Sequence, residues 1–107
     1  MTNHQLTMLR KLLFFTVAEA AELVSLTSER AWIHWEAGKR KVPDDVAAKM
    51  WELVGYREDL IDEVDYWTMT YYADRDGFPG SPEYWRPHQS AMAVVFSRNP
   101  GLAFTIR

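Results

Sequence analysis

The sequence predicts a mainly α chain with a small α+β C-terminal part, on three observations. Apolar residues recur at helical spacing through the first 64 positions, and capping residues stand where such helices would start. After Asp65 the texture changes to alternating β-formers, then turn residues, then one more helical stretch. The expected organisation is therefore a bundle of four to five helices over residues 1–64 and a strand-helix-strand unit over 65–107.

Each element has its own reason. Thr2 followed three later by Gln5 has capping-box spacing, and Leu6, Leu9, Leu12 and Leu13 then share a face, so the first helix covers about 3–13. Thr16 and Glu19 repeat that logic ahead of a short helix, Val17 to Val24, with Ala20, Ala21 and Val24 inward. Ser25 to Ser28 is a connector whose hydroxyls suit capping of the third helix, Ser28 to Ala37. Trp32 and Trp35 share one side of that helix, with Arg30, Ile33 and His34 on the other. Gly38 supplies the left-handed position that ends it. Pro43, Asp44 and Asp45 open a fourth helix, whose buried stripe is Val46, Met50, Leu53 and Val54. Leu60, Ile61 and Val64 extend the stripe, with Gly55 a weak point in it.

In the second part, residues 66–73 alternate as a strand and DRDGFPGSP (74–82) is turn chemistry. A helix is expected from Arg86 to Arg98 with Ala91, Val94 and Val95 inward, joined on that side by Met92 and Phe96. A terminal strand follows over 102–106.

Composition narrows the classes. The chain has 107 residues, 48% of them apolar and 14% aromatic, enough for a core. It has no cysteine, which removes disulfides, thiolate metal sites and a cysteine nucleophile together. No apolar run approaches the roughly 18 residues that would span a membrane, and the N-terminus lacks a signal layout, so the expected location is the cytoplasm. The net charge of −3 is uneven. Residues 1–41 carry six Lys/Arg against four Glu, or +2, and the remainder six against eleven acids, or −5. A cationic part on an acidic chain points to a polyanion-facing surface.

Two short helices joined by a tight turn, the second presenting outward polar side chains, form a helix-turn-helix unit. In such a unit the second helix enters the major groove of double-stranded DNA. The groove-facing set would be Ser28, Glu29, Arg30, Ile33 and His34. Arg30 is the sharpest base reader, because a guanidinium pairs bidentately with the guanine O6/N7 edge; the competing assignment is an ion pair with Glu29 or Glu36. Backbone contacts would come from Thr16 and Glu19 at the start of helix two, from Thr27, and from the Trp35 indole at the rim. Lys39, Arg40 and Lys41 would add sequence-blind, salt-dependent affinity. RNA is the other polyanion that suits the same surface.

Residues 1–65 resemble the lambda-repressor-like, XRE-type helix-turn-helix proteins. Their third helix often ends in an aromatic or aliphatic residue, Glu, any residue, then Gly, matched here by Trp35-Glu36-Ala37-Gly38, with Pro43 opening the next helix. MTNHQLTMLRKLL, VAEAAELV and SERAWIHWEAGKRKVPDDV resemble more narrowly the phage anti-CRISPR-associated repressors and YdiL-like bacterial proteins. Tyr84 to Ala91 is similar to their C-terminal region, in which a Trp and a Gln-Ser-containing helix follow a strand. The resemblance implies a homodimer that binds an inverted repeat in the promoter of its own operon and represses it. It further implies that Arg30 reads bases and that the C-terminal part dimerises.

The aromatic tail lacks the interleaved cations of a base-stacking surface and reads as core or subunit interface. The interface set is Trp67, Met69, Tyr71, Trp85, Phe96 and Phe104, and two-fold pairing would cover the exposed edges of a sheet made from 66–73 and 102–106. An antitoxin-type protein-binding module that also represses its operon is the alternative. Nothing points to an enzyme or a cofactor: there is no phosphate-binding glycine loop and no His-Glu-x-x-His. His4, His34 and His88 are too scattered for a metal site.

Overall fold

The computed structural model describes residues 1–63 and 69–107. Helix α1 spans Asn3–Leu12 and starts in the expected capping box, the Thr2 hydroxyl accepting from the Gln5 amide while Gln5 returns to Thr2. Its C-terminus closes with Phe14 N–H on the Lys11 carbonyl and Phe15 N–H on that of Arg10, both at 3.1 Å. This closure needs a left-handed residue, and Phe14 takes that role at φ 67° where glycine is usual. The reversal delivers Phe15 into the core, where it is 3% exposed.

Helix α2, Val17–Ala20, begins in the Thr16/Glu19 capping box and continues as a π-helical turn over Ala21–Ser25. The predicted helix of 17–24 is thus present along its path, with a wider last turn. Leu26 then adopts φ 55° and ψ 35°, a left-handed residue that turns the chain toward α3. Helix α3 spans Glu29–Glu36 between the caps Ser28 and Ala37, and Gly38 follows at φ +76°. Helix α4, Asp44–Asp62, runs unbroken through Gly55, since the helical ladder on both sides outweighs one poor former. Pro43 precedes its first turn as the cap residue.

Leu6, Leu13, Phe15, Trp32, Val42, Val46, Met50 and Leu53 close one apolar cluster, with Trp35 edge-on to Trp32 at 5.6 Å between ring centroids. Within this cluster the Glu36 carboxylate is the polar node. It accepts from Arg10 Nε at 2.6 Å and Nη2 at 3.0 Å, from the Thr7 hydroxyl at 2.8 Å, and from the Trp32 indole N–H. Arg10 also donates to the Phe15 carbonyl at 3.1 Å, so one guanidinium ties α3 to the end of α1.

The C-terminal unit is a strand-helix-strand with parallel pairing. Strand β1, Met69–Tyr71, lies beside β2, Phe104–Ile106, in the register Met69↔Phe104 to Tyr71↔Ile106. Parallel strands require a crossover, and helix α5, Trp85–Arg98, supplies it, beginning one residue before the predicted start. The segment predicted as turns contains two 3₁₀ turns, Arg75–Gly77 and Pro82–Tyr84. Met69, Ala91, Met92 and Val95 form a second cluster, against which Leu60 and Ile61 of α4 pack. Phe96, expected inward from periodicity, is half exposed. Val64 and the early part of the predicted strand, including Trp67, lie outside the described residues.

Polar contacts join this unit to the helical bundle. Arg57 of α4 is buried and donates through Nε to the Ser90 hydroxyl at 2.8 Å, which donates in turn to the Leu12 carbonyl at 2.7 Å. The relay ties α4, α5 and the end of α1 together. On another side the Tyr84 hydroxyl donates to Glu52 at 2.7 Å, with Tyr56 packed edge-on to Tyr84.

Burial opposes ionisation of Glu36, but hydrogen bonds from Arg10, Thr7 and Trp32 outweigh it and hold its pKa below the ordinary 4.5. A carboxyl with a depressed folded-state pKa stabilises above its unfolded value and loses that contribution as pH falls through the folded value. Replacing Glu36 by Ala, which leaves Arg10 charged and unpaired in a mostly buried site, should lower stability by about 3 kcal/mol in urea titrations at neutral pH. The gap between wild type and Glu36→Gln should narrow as the pH is taken below 4.5.

Candidate nucleic-acid interface

The turn between α2 and α3 is held locally. Thr27 N–H donates to the Ala21 carbonyl at 3.1 Å and its hydroxyl meets that of Ser25 at 2.8 Å. The Ser28 hydroxyl accepts from the Ala31 amide at 3.2 Å, so it acts as the helix cap and sits at the solvent end of α3. The two tryptophans turn inward, Trp32 fully buried and Trp35 7% exposed. Glu29, Arg30 and Ile33 consequently face solvent, Ile33 at 48% exposure, with His34 at the margin.

Arg30 has no ion pair among the described residues. The Glu36 partner considered for it is turned to Arg10 instead, and Glu29 stands in the first turn, where the helix dipole favours it. Beyond Gly38, Lys39, Arg40 and Lys41 are exposed and likewise form no ion pair among the described residues. His34 reports how these charges converge. Desolvation of its ring and the neighbouring charges of Arg40, Lys39 and Arg30 together lower its pKa below the usual 6.5. Ser28, Glu29, Arg30, Ile33 and His34 thus lie toward solvent, with Lys39 and Arg40 near enough for their charges to act on His34, and cations outnumber the one acid there.

Three residues expected at the phosphate backbone have other roles. Trp35 is packed in the core against Trp32, so its ring does not reach the rim. Thr16 and Glu19 satisfy each other in the capping box, and the Glu19 carboxylate is further closed by Arg86 of α5 at 3.0 Å. The capping box engages the backbone amides of both Thr16 and Glu19, the donors through which the start of α2 would have held a phosphate. Two interface assignments change as well. Met69 and Trp85 are 3% and 6% exposed within a single chain, because a tail this small needs its largest side chains for its own core. The Trp85 indole donates to the Tyr72 carbonyl at 2.8 Å. Tyr71, Phe96 and Phe104 stay accessible and line an apolar groove with Met92, Ala93 and Ile106. Trp67 lies outside the described residues.

Sequence reasoning missed Arg86 and Arg57. Their significance depends on partners 67 and 33 positions away, Glu19 and Ser90, and no periodicity signals such contacts. Among the described residues, no group of three metal-ligating side chains gathers. No described helix is long and apolar enough to cross a membrane.

Two helices at a tight turn, the first capped and braced from behind and the second inward with tryptophan and outward with cations, define a helix-turn-helix protein. Comparison with known proteins narrows the class: the chain belongs to the Aca2/YdiL-like family, whose model matches residues 1–102. It is also similar to the Aca2 repressor of Pectobacterium phage ZF40, with 43% identity over 65 residues. That alignment covers 61% of this chain and 56% of the phage protein, so a large part of the relative lies outside the match.

If Arg40 and Lys39 depress the His34 pKa as this geometry requires, the double variant Lys39→Gln/Arg40→Gln should titrate His34 at a higher pH than wild type. Two-dimensional NMR of the imidazole resonances reads this directly, and an unchanged midpoint would place the cations away from the helix.

Proposed function

We propose that the protein is a transcriptional repressor that binds double-stranded DNA sequence-specifically, as a homodimer on an inverted repeat. The promoter would be that of its own operon in a phage or mobile element. The observation that carries the reading is the outward face of α3, where Arg30 stands exposed and unpaired among the described residues, backed by Lys39 to Lys41. The name of the phage relative, a repressor, supports it.

The roles follow from chemistry. Arg30 offers a planar fork that matches the guanine edge, and exposed Ile33 presents a methyl-bearing surface to thymine C5 methyls. Ser28 and His34 flank them as shorter polar contacts, and Glu29, at the helix start, is placed for a cytosine N4 amine. Thr27, in the turn, would contact the sugar-phosphate chain. Lys39, Arg40 and Lys41 supply charge whose effect is independent of sequence and falls with salt.

The dimer places the apolar groove at its centre. Apart from Tyr71 its lining side chains are apolar, with Phe96 50% and Ile106 66% exposed, and Phe96 stacks edge-on to Phe104 at 5.9 Å. Burying this surface and the adjoining strand edge against a second copy removes both an apolar patch and unpaired backbone groups. Two recognition helices about 34 Å apart would then lie in successive major grooves and exclude polymerase from the promoter.

Footprinting on the DNA upstream of the gene should reveal a two-fold site. On that site, Arg30→Ala should weaken binding by roughly 1–3 kcal/mol and relax one base position per half-site. Lys39→Ala or Arg40→Ala should weaken all sequences alike and flatten the salt dependence; the reverse pattern would exchange reader and anchor. Separately, Phe96→Glu should convert the dimer to monomer in sedimentation at micromolar concentration while leaving the helical circular dichroism unchanged. A monomer in the wild type would overturn the dimer.

A further inference from the structure

Between the start of α2 and the C-terminal unit lies an unbroken series of directed contacts. It starts at the carbonyl of Tyr72, the residue after β1, which accepts from Trp85 Nε1 and from Gln89 Nε2, each at 2.8 Å. The Gln89 side-chain oxygen accepts from Arg86 Nη1 at 2.8 Å. The Arg86 guanidinium lies over the Trp85 ring at 4.1 Å. Its remaining edge closes on Glu19, with Nε and Nη2 each 3.0 Å from Oε2 and Nε 3.2 Å from Oε1. Glu19 Oε1 in turn accepts the Thr16 amide at 2.9 Å, the cap of α2.

Two features argue that this series does more than add stability. First, its tail end is interior: Gln89 is 2% and Trp85 6% exposed, so Arg86 projects from a fixed base. A planar guanidinium held by a stack, a side-chain amide and a carboxylate has little rotational freedom left. Second, the other joints between the two parts bear on different places: the Pro82–Tyr84 turn touches the π turn after α2, with Tyr84 packed on the first core cluster. Ser90 engages the end of α1, and α4 packs along α5. Among the described residues the polar contacts from the tail to α2 and its π turn are Arg86–Glu19 and the exposed pair Arg75–Glu22. An exposed pair restrains weakly. Apolar packing holds α2 and α3 to the rest of the bundle, and Arg86 is the less exposed of the two polar contacts that tie the start of that unit to the tail.

We propose that Arg86 is a positioning residue. It fixes the angle of the α2–turn–α3 unit relative to the groove, and so the separation of the two recognition helices in the dimer. The inference rests on the dimeric-repressor reading above. Its consequence is selectivity for the spacing of half-sites, a property of the pair of helices that no single base contact provides.

Because the chain has no cysteine, the variant Ala37→Cys carries one spin label per protomer, at the exposed end of α3. Pulsed electron–electron distance measurements on this dimer should give one narrow distribution. Adding Arg86→Ala should broaden it while sedimentation and helical content stay unchanged. Arg86→Lys, which pairs with Glu19 but cannot also hold Gln89 in the same plane, should fall between. On duplexes carrying the footprinted half-sites at varied spacing, Arg86→Ala should lose roughly tenfold of the spacing preference and keep wild-type affinity for a single half-site. A distribution as narrow as wild type in Arg86→Ala would overturn the proposal. Equal loss on the single half-site would also overturn it and make Arg86 a phosphate contact. Absence of any inter-label distance in the parent variant would instead bring down the dimer reading, and this inference with it.

Discussion

The fold turns on one carboxylate. Glu36 stands at the end of α3, four residues after Trp32, and gathers Arg10, Thr7 and the Trp32 indole around two oxygens. Each of those donors is partly or wholly withdrawn from water, so each requires an acceptor. Removing Glu36 would take the acceptor from the Trp32 indole, leave Thr7 with the Asn3 carbonyl and Arg10 with that of Phe15, and strip a mostly buried guanidinium of its counter-ion. The same node orients α3 about its own axis. With Trp32 and Glu36 directed at α1, the residues one-third of a turn away have no choice but solvent. Arg30 cannot fold back onto Glu36, because the two point to different sides of the helix and Glu36 is already occupied. An interior ion pair thereby leaves the outward arginine unpaired.

Much of this was legible in the sequence, and the legible part has a common cause. Capping boxes, the Trp32/Trp35 stripe, the Gly38 stop and the α4 stripe are local patterns, set by residues within one or two helical turns. What escaped was non-local. Arg86 reads as an ordinary surface cation until Glu19 is placed beside it, and the buried Arg57 makes sense only once Ser90 and the Leu12 carbonyl are present. The site shows the same division. The outward position of Arg30, Ile33 and His34 follows from periodicity, whereas the loss of Trp35, Thr16 and Glu19 from it depends on packing and tertiary partners.

The tail illustrates a second limit. Aromatic content identifies a surface that must be covered but not what covers it. Met69 and Trp85 are covered by their own chain, whereas Phe96 and Ile106 remain open to solvent. All belong to β1, α5 or β2, and the difference lies in which side of the crossover each side chain occupies. Parallel pairing decides this, since α5 covers one face of the two strands. His88 falls on the covered side: it sits edge-on between Tyr72 and Phe78, and burial lowers its pKa, which keeps the ring neutral near pH 7.

Net charge is the least informative electrostatic quantity in this molecule; pairing is the more informative one. In the tail and along α4, Lys49, Arg57, Arg75 and Arg86 each lie against a glutamate. Their fields are largely cancelled at a distance, and they serve as joints. Among the described residues Arg30, Lys39, Arg40 and Lys41 have no such partner, and neither do Lys11, Arg98 and Arg107. What sets the first group apart is convergence: three of its members depress the same histidine. Uncancelled cations crowded on one helix end raise one another's energy, a cost that a polyanion removes when it binds. An acidic protein can therefore present a strongly attractive face to nucleic acid, provided its acids are placed on the cations that do structural work and withheld from those that do not.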